Sequence, residues 1–407
     1  MPLPRAPWRP TSPRMTADPQ SEAVRGLSLA GFAATLLTYG PARVGFGLFL
    51  PQLRPAFGIE GGASGTIASI GFAGFLAGLV AAGELGERFG GTRPVLIGLI
   101  CSTLGLAMVA FAGSAAVLAA GVALAMLGPG LTWSPFNRLV HDGLSDFRRP
   151  GALSVISTGT SLGIALAGAA ALLVALWGVS WRWAWVFFAL LGLGALAVNA
   201  RLLTRLAPAP RRERREFWSG VRRRRAAPLY AVAFSFGITT AIWITFAART
   251  VEQAGGLPGL PANGSSAAIF VALGLAGLAG IGTARVRRAI GLPALVAALM
   301  LAAALSAALL ALAPASWPGV MASAALQGVF IMMTSAVLSF WAERIFAGGS
   351  LLGFTAALLF VAAGSIAGPA IAGLAYDRLG AQAVFLALAA LSAASAPLAL
   401  PRFVRIA

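Results

Sequence analysis

Long apolar runs recur along the chain, and short charged or glycine-rich turns separate them. An α-helix needs about 20 mostly apolar residues to cross the roughly 30 Å hydrocarbon core of a bilayer. Twelve runs reach that length, and they predict spans at residues 27–50, 63–83, 94–112, 115–138, 151–176, 183–206, 228–249, 265–284, 292–313, 318–340, 351–375 and 381–400. The pattern therefore predicts an all-α polytopic membrane protein with twelve transmembrane helices.

Composition supports this reading and removes several kinds of chemistry. The chain is 58% hydrophobic and 10% charged, whereas a soluble domain carries about 25% charged residues. All of its basic residues are arginines, so the lysine of a phosphate-binding P-loop or of a Schiff-base enzyme is missing. The single Cys101 forms no disulfide within the chain, and His141 has no Cys/His cluster around it, so we expect no metal and no cofactor.

The arginines are distributed unevenly between the two sides of the predicted bundle. With a cytoplasmic N-terminus, the outer segments contain only Arg54, Arg182, Arg249 and Arg378, and Arg43 falls within the first span. The others lie in short cytoplasmic segments, which is the usual bias of inner loops and excludes a basic domain for nucleic acid. We therefore expect both termini in the cytoplasm. The Ala-, Gly- and Arg-rich composition favours a bacterial inner (plasma) membrane.

A basic segment divides the predicted helices into two groups of six. A weak repeat supports two pseudo-symmetric halves, because residues 185–190 of the sixth span resemble residues 383–388 of the twelfth. The predicted organisation is a disordered cytoplasmic tail at 1–26, a six-helix bundle at 27–206, a basic cytoplasmic loop at 207–227, a second six-helix bundle at 228–401 and a cytoplasmic tail at 402–407. The basic loop is expected to anchor the topology.

The turn between the second and third spans carries the most specific motif. It fits the pattern Gly-x-Leu-x-Asp-Arg-x-Gly-x-Arg at Gly83, Leu85, Arg88, Gly90 and Arg93, with the last arginine displaced by one residue and Glu87 in place of the Asp. This turn closely resembles the signature loop of the major facilitator superfamily of transporters. The resemblance covers nearly the whole chain. It implies two six-helix bundles that rock to give alternating access to a site between them.

In that superfamily the loop packs against a neighbouring helix end and helps to hold the outward-open state. The resemblance therefore implies gating roles for Gly83, Glu87, Arg88, Gly90 and Arg93. A carboxylate near a helix N-terminus, with arginines able to pair with it, gives such a latch a physical basis. The second half has only a degraded copy at 280–291, which lacks the acid.

The eleventh span carries a second facilitator-like element. Small residues repeat there with a proline, and a charged pair follows them. Small residues allow helices to approach closely, and a proline allows a bend. We assign gating roles to Gly368, Pro369, Asp377 and Arg378.

Arg43 is the one charge that the pattern places inside the apolar part of a span. An arginine at the bilayer centre costs roughly 2.5–3.5 kcal/mol on insertion scales, so such residues usually face a cavity or a partner. We predict that Arg43 binds an anionic group of a substrate. The alternative is that its side chain reaches the outer headgroups.

The resemblance also implies that the first, fourth, seventh and tenth spans line the substrate cavity. The polar and aromatic residues of these spans are Thr38, Tyr39, Thr132, Trp133, Asn137, Thr239, Thr240, Trp243, Thr245, Gln327, Met332, Thr334 and Trp341. Together with Arg43, the predicted substrate contacts are Thr38, Tyr39, Trp133, Asn137, Thr240, Trp243, Gln327 and Thr334. Such a pocket would be mostly apolar, with a few groups that form hydrogen bonds.

These observations favour a monomeric carrier of a small organic anion in the lipid bilayer. The alternative is an efflux carrier for amphipathic drugs or sugars, which the aromatic wall suggests. No Asp or Glu lies in the middle of a span. A coupling proton would then be carried by the substrate acid, by Glu84 or by His141, and facilitated diffusion is equally open.

Two other classes of protein fit the sequence less well. An intramembrane enzyme would need a cluster of His, Cys or carboxylate groups at membrane depth, and the spans contain none. A transport-inactive sensor would be expected to carry an additional soluble domain, and the predicted tails are short. We therefore predict a transporter and not an enzyme.

Overall fold

The computed structural model describes residues 19–204, 224–261, 263–346 and 350–404, and all regular structure in these ranges is helical. The α-helices are α1 Pro19–Tyr39, α2 Pro41–Leu48, α3 Leu50–Phe57, α4 Gly61–Phe89, α5 Thr92–Ala110, α6 Ala115–Gly143, α7 Arg149–Trp177, α8 Arg182–Leu203, α9 Ala227–Gln253, α10 Gly264–Gly277, α11 Thr283–Ile290, α12 Leu292–Leu312, α13 Trp317–Ile345, α14 Ser350–Ser395 and α15 Pro401–Val404. Short 3₁₀ helices occupy Arg224–Ala226, Leu278–Gly282 and Ala396–Ala399.

Ten helical stretches of the described chain are long and apolar enough to cross a membrane. Helices α4 to α9, α12 and α13 each coincide with one predicted span. Helices α10 and α11 together form the stretch Gly264–Ile290, which contains the predicted eighth span. The predicted eleventh and twelfth spans both fall on α14, where Gly380 has the non-helical angles φ 81° and ψ 170°. The prediction of an all-helical membrane protein is thus confirmed for the described residues.

The first predicted span, 27–50, is not one continuous helix. It is divided into α1, α2 and the start of α3, and it is not among the ten stretches. Pro41 begins α2, and a residue before proline is disfavoured in the helical conformation. Gly40 accordingly adopts φ −80° and ψ −112°. A side chain at Gly40 would also meet the backbone of Gly163 at 2.5 Å, so this break is packed against α7.

The ends of the predicted domains also differ from the structure. Helix α1 begins at Pro19, so residues 19–26 are helical where a disordered tail was predicted. Most of the predicted basic loop, at 205–223, lies outside the described residues, and α9 begins at Ala227. The predicted C-terminal tail begins within α15, and residues 405–407 lie outside the described part of the chain.

The same helix pairs pack in the two halves of the chain, here defined as α1–α8 and α9–α15. In the first half α4 and α5 pack on α6, α1 packs on α7 and α5 packs on α8. In the second half α10 and α12 pack on α13, and α9 and α12 pack on α14. Glycines line several of these contacts. A side chain at Gly78, Gly163 or Gly237 would strike the carbonyl oxygen of Leu127, Leu36 or Val361 in the facing helix. Such residues let helix backbones approach closely within a membrane.

Successive spans run in opposite directions, so their turns collect at two faces. The arginine-poor face contains the turns at 58–60, 111–114, 178–181, 254–261 and 313–316 together with Gly380. The arginine-rich face contains Gly90, Gly291 and the turn at 144–148. At the former face, Ser114 caps α6 by accepting a 3.3 Å hydrogen bond from the Val117 N–H. A short turn at 111–114 thus separates α5 from α6.

Candidate functional site

Arg43 lies on α2, one turn beyond the break at Gly40, and its side chain is half-buried. Its guanidinium carbon is 5.4 Å from the ring centre of Tyr39, 5.9 Å from that of Phe72 and 5.1 Å from that of Phe75. All three are cation–π distances. Within the described chain no carboxylate pairs with this guanidinium. Arg43 is therefore a cation among aromatic rings, and none of the described residues supplies its counter-charge.

The predicted residues of α1 and α6 gather beside Arg43. The Tyr39 hydroxyl donates to the Pro129 carbonyl at 3.2 Å, and its ring lies 5.7 Å from that of Trp133. The Thr38 and Thr132 hydroxyls are 3.3 Å apart. Tyr39 and Trp133 are half-buried, whereas the two threonines are buried. Arg43, Tyr39 and Trp133 thus form one continuous cationic and aromatic wall.

Asn137 continues this wall toward the arginine-rich face. Its amide nitrogen donates to the Trp133 carbonyl one turn earlier at 3.0 Å, and its side chain is half-buried. The sequence-predicted contacts of the first half therefore lie together on neighbouring turns of α1, α2 and α6.

The predicted residues of α9 and α13 are instead enclosed within the second half. Trp243 is fully buried, and its indole N–H donates to the Ser323 hydroxyl at 3.3 Å. Thr240, Gln327 and Thr334 are almost completely buried, and their side-chain polar atoms lack hydrogen-bond partners. A buried amide or hydroxyl without a partner costs about 1–3 kcal/mol. The structure therefore does not place these four residues on one open wall with Arg43.

The remaining polar residues of α9 and α13 mostly serve packing. Thr239 shares a 3.1 Å hydrogen bond with Ser392 of α14, and Thr245 donates to the Ala241 carbonyl at 2.7 Å. Met332 packs against the turn of 3₁₀ helix that follows α10, since a side chain at Gly280 would meet its Cβ at 2.7 Å. The Trp341 indole N–H is buried and without a partner.

The predicted gating segment at 83–93 consists of the last turns of α4, the residues 90–91 and the start of α5, at the arginine-rich face. Gly83 is exposed and has open space around it, and Gly90 ends α4 with φ 76°. The Arg93 guanidinium carbon lies 4.9 Å from the ring centre of Phe89. Glu87 and Arg88 are exposed and form no ion pair with any described residue. The turn is thus formed, but Glu87 has no ion-pair partner among the described residues in this conformation.

At the arginine-poor face the carboxylate of Asp377 joins the two halves. Its oxygens accept hydrogen bonds from the backbone N–H groups of Gly61 at 2.9 Å and Gly62 at 2.7 Å. These are the first residues of α4, where unpaired N–H groups and the helix dipole favour an anion. One carboxylate oxygen also lies 3.6 Å from Nη2 of Arg249 on α9. The neighbouring Arg378 is exposed.

Aromatic and polar side chains surround this carboxylate. The Arg249 guanidinium carbon lies 4.2 Å from the ring centre of Tyr376, which stacks on Phe246 at 5.2 Å. The Tyr376 hydroxyl is 2.9 Å from the Thr250 hydroxyl and donates to the Gln253 side-chain oxygen at 2.9 Å. Arg249 is 4% exposed, so it is an almost fully buried cation.

The two gating elements share a short pattern and a backbone conformation. Glu87 and Arg88 precede Gly90, and Asp377 and Arg378 precede Gly380, at the same spacing. Gly90 has φ 76° and ψ 176°, and Gly380 has φ 81° and ψ 170°. Side chains disfavour positive φ, so glycine is required at both positions. The degraded copy ends similarly at Gly291, with φ 82°.

Glycines also bring the two halves together between the arginine-poor face and the middle of the helices. A side chain at Gly65 of α4 would strike the Pro369 carbonyl of α14, and one at Gly47 of α2 would strike the Ile244 carbonyl of α9. The Ser69 hydroxyl donates to the Ile366 carbonyl of α14 at 2.7 Å. Pro369 thus lies in this seam, whereas its neighbour Gly368 packs against α9, where an added Cβ would lie 3.2 Å from the Ile238 Cα.

A family profile described as Major Facilitator Superfamily matches residues 27–307, which is more than half of the chain. The chain belongs to this superfamily. The resemblance predicted from the loop at 83–94 is therefore confirmed, and the chain is a transporter of small solutes rather than an enzyme. No curated relative matches the sequence significantly.

Solved transporter structures share the fold. The crystal structure of the nucleoside transporter NupG is 14% identical, with a TM-score of 0.70 over 94% of this chain and 99% of that chain. A mutant of the peptide transporter POT, in complex with sulfate, is 16% identical, with a TM-score of 0.77 over 94% of this chain and 95% of that chain. At such low identity the likeness concerns the fold of this transporter alone.

Sequence reasoning missed one important residue of the transporter, Arg249. It was counted only as an outer arginine, yet it lies in α9 beside the carboxylate that joins the halves. Its position after Phe246, Ala247 and Ala248 was the available signal, because an arginine on an apolar helix needs a partner. Among the described residues no group of His, Cys, Asp or Glu could hold a metal.

Proposed function

We propose that this transporter carries a small organic anion by alternating access, with Arg43 as the group that binds the anion. The single observation that carries the proposal is the surround of Arg43. A half-buried guanidinium lies among three aromatic rings, and no described carboxylate neutralises it. Taking an unpaired charge out of water is costly, so the site favours a ligand that supplies a negative charge.

The other residues of the wall suit the organic part of such an anion. The rings of Tyr39 and Trp133 offer apolar faces, and the Asn137 amide offers a hydrogen-bonding group on the next turn. Thr240, Trp243, Gln327 and Thr334 are proposed as contacts of the second half that become available when the halves move. The unpartnered buried polar atoms of Thr240, Gln327 and Thr334 support this assignment, since a ligand could satisfy them.

Alternating access is supported by the different states of the two gates. Asp377 holds the halves together at the arginine-poor face, while Glu87 and Arg88 are exposed at the other face. We infer that this conformation is closed at the former face and opens toward the latter. Glycine contacts such as Gly65 with Pro369 would separate, and the turn at 83–93 would engage, in the opposite conformation.

The proposed topology has twelve passages in two bundles at 27–206 and 228–401. The ten apolar stretches become twelve when α14 is counted as two arms and α1 with α2 is counted as one span. The arginine-rich face is proposed to be cytoplasmic, with both termini there, in a bacterial inner membrane. Two exposed groups near that face, Glu84 and His141, are the candidates for a coupling proton, and the carrier is proposed to act as a monomer.

A second candidate function is the efflux of amphipathic drugs or sugars. The three rings around Arg43 and the Trp133 ring beside Tyr39 favour it, because aromatic walls bind amphipathic molecules without a specific charge requirement. The solved structures named above are those of a nucleoside transporter and a peptide transporter, which supports a small organic substrate for this fold.

Ligand-induced thermal shifts of the detergent-purified protein test the proposal. Small organic anions, neutral sugars and cationic drugs are compared on the wild type and on Arg43→Gln. Binding to the folded state at 100 times Kd adds about 2.7 kcal/mol to the free energy of unfolding. We expect an anion to stabilise the wild type, Arg43→Gln to lose the effect, and Arg43→Lys to retain part of it.

Arg201→Gln is the matched control, because it removes one exposed arginine at the end of α8 to which no role is assigned. It should respond like the wild type. Stabilisation by neutral or cationic compounds alone, or an unchanged anion response in Arg43→Gln, would contradict the anion proposal and favour the efflux carrier.

A further inference from the structure

The wall around Arg43 offers only a few polar groups to a substrate. Its hydroxyl groups are engaged, because the Tyr39 O–H donates to the Pro129 carbonyl, and the Thr38 and Thr132 hydroxyls are buried against each other. In the described chain, three groups of the half-buried wall have no hydrogen-bond partner. They are the guanidinium of Arg43, the indole N–H of Trp133 and the side-chain oxygen of Asn137.

The orientation of the Asn137 amide follows from its neighbour. The Trp133 carbonyl can only accept a hydrogen bond, so the atom of Asn137 that lies 3.0 Å from it is the nitrogen. The amide oxygen is therefore left for another donor. The wall thus presents a cation and an N–H donor, followed by one acceptor a turn further along α6.

These few groups limit the polar part of the substrate. One guanidinium neutralises one carboxylate and can bind it with two parallel hydrogen bonds. A second carboxylate would meet aromatic rings or the Asn137 oxygen, and neither of them can neutralise it. A sugar would bring many hydroxyl groups, and this wall would leave most of them without partners. The inventory therefore fits a monocarboxylate with an otherwise apolar body.

The apolar surface of the wall is aromatic rather than aliphatic. The rings of Tyr39 and Trp133 lie 5.7 Å apart at an angle of 60°, and both side chains are half-buried, so each keeps exposed area. Phe72 and Phe75 are almost completely buried and contact the guanidinium from α4. A flat aromatic ring gains more from such neighbours than the area it buries, whereas a saturated ring gains from the area alone.

We propose that the transported anion is an aromatic monocarboxylate, and that Trp133 determines the preference for a flat ring. The carboxylate binds the Arg43 guanidinium, and the ring lies against Trp133 and Tyr39. Helix α2, which carries Arg43, packs on both α6 and α9, so this arrangement lies where the two halves meet. The inference rests on the proposed function and narrows its small organic anion to one chemical class.

Calorimetric titration of the detergent-purified full chain, at neutral pH and constant ionic strength, tests this class. Benzoate and cyclohexanecarboxylate each carry one carboxylate on a ring of six carbons, and only benzoate is flat. Hexanoate and succinate add an open-chain monocarboxylate and a dicarboxylate. We expect the wild type to bind benzoate about three- to tenfold more tightly than cyclohexanecarboxylate, and succinate more weakly than either. Arg43→Gln should lose the binding of all four.

Substitutions of Trp133 show whether this residue sets the preference. In Trp133→Leu the ratio of the dissociation constants for the two ring acids should approach one, and Trp133→Phe should keep most of the preference, because it retains a ring. Trp183→Leu is the matched control, since Trp183 is exposed near the start of α8 and lies outside the wall. A general loss of folded protein lowers both signals and leaves their ratio unchanged.

The outcomes separate this inference from the proposed function. Equal affinity for the two ring acids, tighter binding of hexanoate or succinate than of benzoate, or an unchanged ratio in Trp133→Leu would overturn the aromatic class. If that binding still required Arg43, the proposed anion carrier would stand. If none of the four acids bound in an Arg43-dependent way, the proposed function itself would be contradicted.

A second measurement shows whether the bound acid is also carried. Exchange of labelled benzoate across proteoliposomes should be faster with the wild type than with Arg43→Gln, which sets the background of passive leakage. Unlabelled benzoate should inhibit the exchange at lower concentration than cyclohexanecarboxylate does. Benzoate binding without protein-dependent exchange would overturn its assignment to the transported class.

Discussion

Each face of this transporter carries the same short pattern, an acidic residue followed by Arg, any residue and Gly. At one face the acid contacts the other half, and at the other face it does not. At the arginine-poor face, Asp377 lies against the first N–H groups of α4 and beside Arg249. At the arginine-rich face, Glu87 has the same spacing to its glycine but lies exposed without an ion pair among the described residues. We therefore expect the acid at each face to bind the other half when that face is closed and to be unpaired when it is open.

This difference indicates that the acidic side chain is engaged only when a partner in the other half lies beside it. The backbone conformation is already the same at Gly90 and Gly380, so the turn itself does not need to refold. We propose that the two conformations differ in whether a helix N-terminus of the other half lies within reach of each carboxylate. Three substitutions test this comparison between the faces.

The largest effect is expected from Gly65→Leu, because a side chain there would strike the Pro369 carbonyl in the seam between halves. Overpacking costs about 3 kcal/mol or more against rigid backbone, which corresponds to at least a 100-fold loss of the closed population. Transport into proteoliposomes should fall below detection. The distance between spin labels at Gly113→Cys and Ala254→Cys, two exposed turn positions of different halves at the arginine-poor face, should increase in protein whose Cys101 is replaced by Ser.

Gly194→Leu is the matched control, since Gly194 is exposed on α8 with open space around it. It should transport like the wild type. Normal transport by Gly65→Leu would mean that closure of this seam is not part of the cycle.

An intermediate effect is expected from Asp377→Asn. The amide can still accept one N–H of α4, but the charge that interacts with the helix dipole and with Arg249 is gone. A loss of about 1–2 kcal/mol shifts the equilibrium between conformations five- to thirtyfold away from closure. Spin-label distances across the arginine-poor face should record this shift, and Arg182→Gln on the same face should not reproduce it, because Arg182 binds the Ala110 carbonyl and not the gate. An unchanged distribution in Asp377→Asn would remove the carboxylate from the gate.

The smallest effect is expected from Glu87→Gln, and its sign is opposite. Glu87 is exposed here, so its charge contributes little to this conformation, and the loss falls on the conformation in which the turn is engaged. We expect a two- to fivefold shift toward closure of the arginine-poor face. Labels at Gly151→Cys and Ala289→Cys, on the arginine-rich face, would measure it. Glu84→Gln is the control on the same helix end, and equal responses from both variants would argue against a specific latch.

Much of the fold could be predicted because the length of an apolar run indicates whether it can span the membrane. The broken first span was missed because hydropathy averages over a window, whereas the break depends on Pro41 and on the contact of Gly40 with α7. The family could be predicted from one turn, since its glycine and charges are fixed by local backbone geometry. Position 90 requires a glycine whatever the substrate.

The site could be predicted only in its first half. Tyr39, Arg43 and Trp133 come together because they lie on neighbouring turns of helices that pack directly. The direction in which Trp243 and Gln327 face depends on the rotation of α9 and α13, which a composition of almost uniform hydrophobicity does not encode. The role of Arg249 was missed because its carboxylate neighbour, Asp377, lies more than 100 residues away in the sequence.

In the proposed cycle, the charge of Arg43, which no described carboxylate pairs, also makes transport sensitive to the membrane potential. Moving one elementary charge through the full potential changes the free energy by about 2.3 kcal/mol per 100 mV. With a monovalent anion bound, the positive charge is cancelled, and the loaded carrier crosses the field as a neutral pair. The empty carrier returns with its guanidinium exposed to the field. The voltage of the cell would then act mainly on the return step, so the electrical cost of a cycle is set by an arginine that the substrate covers and uncovers.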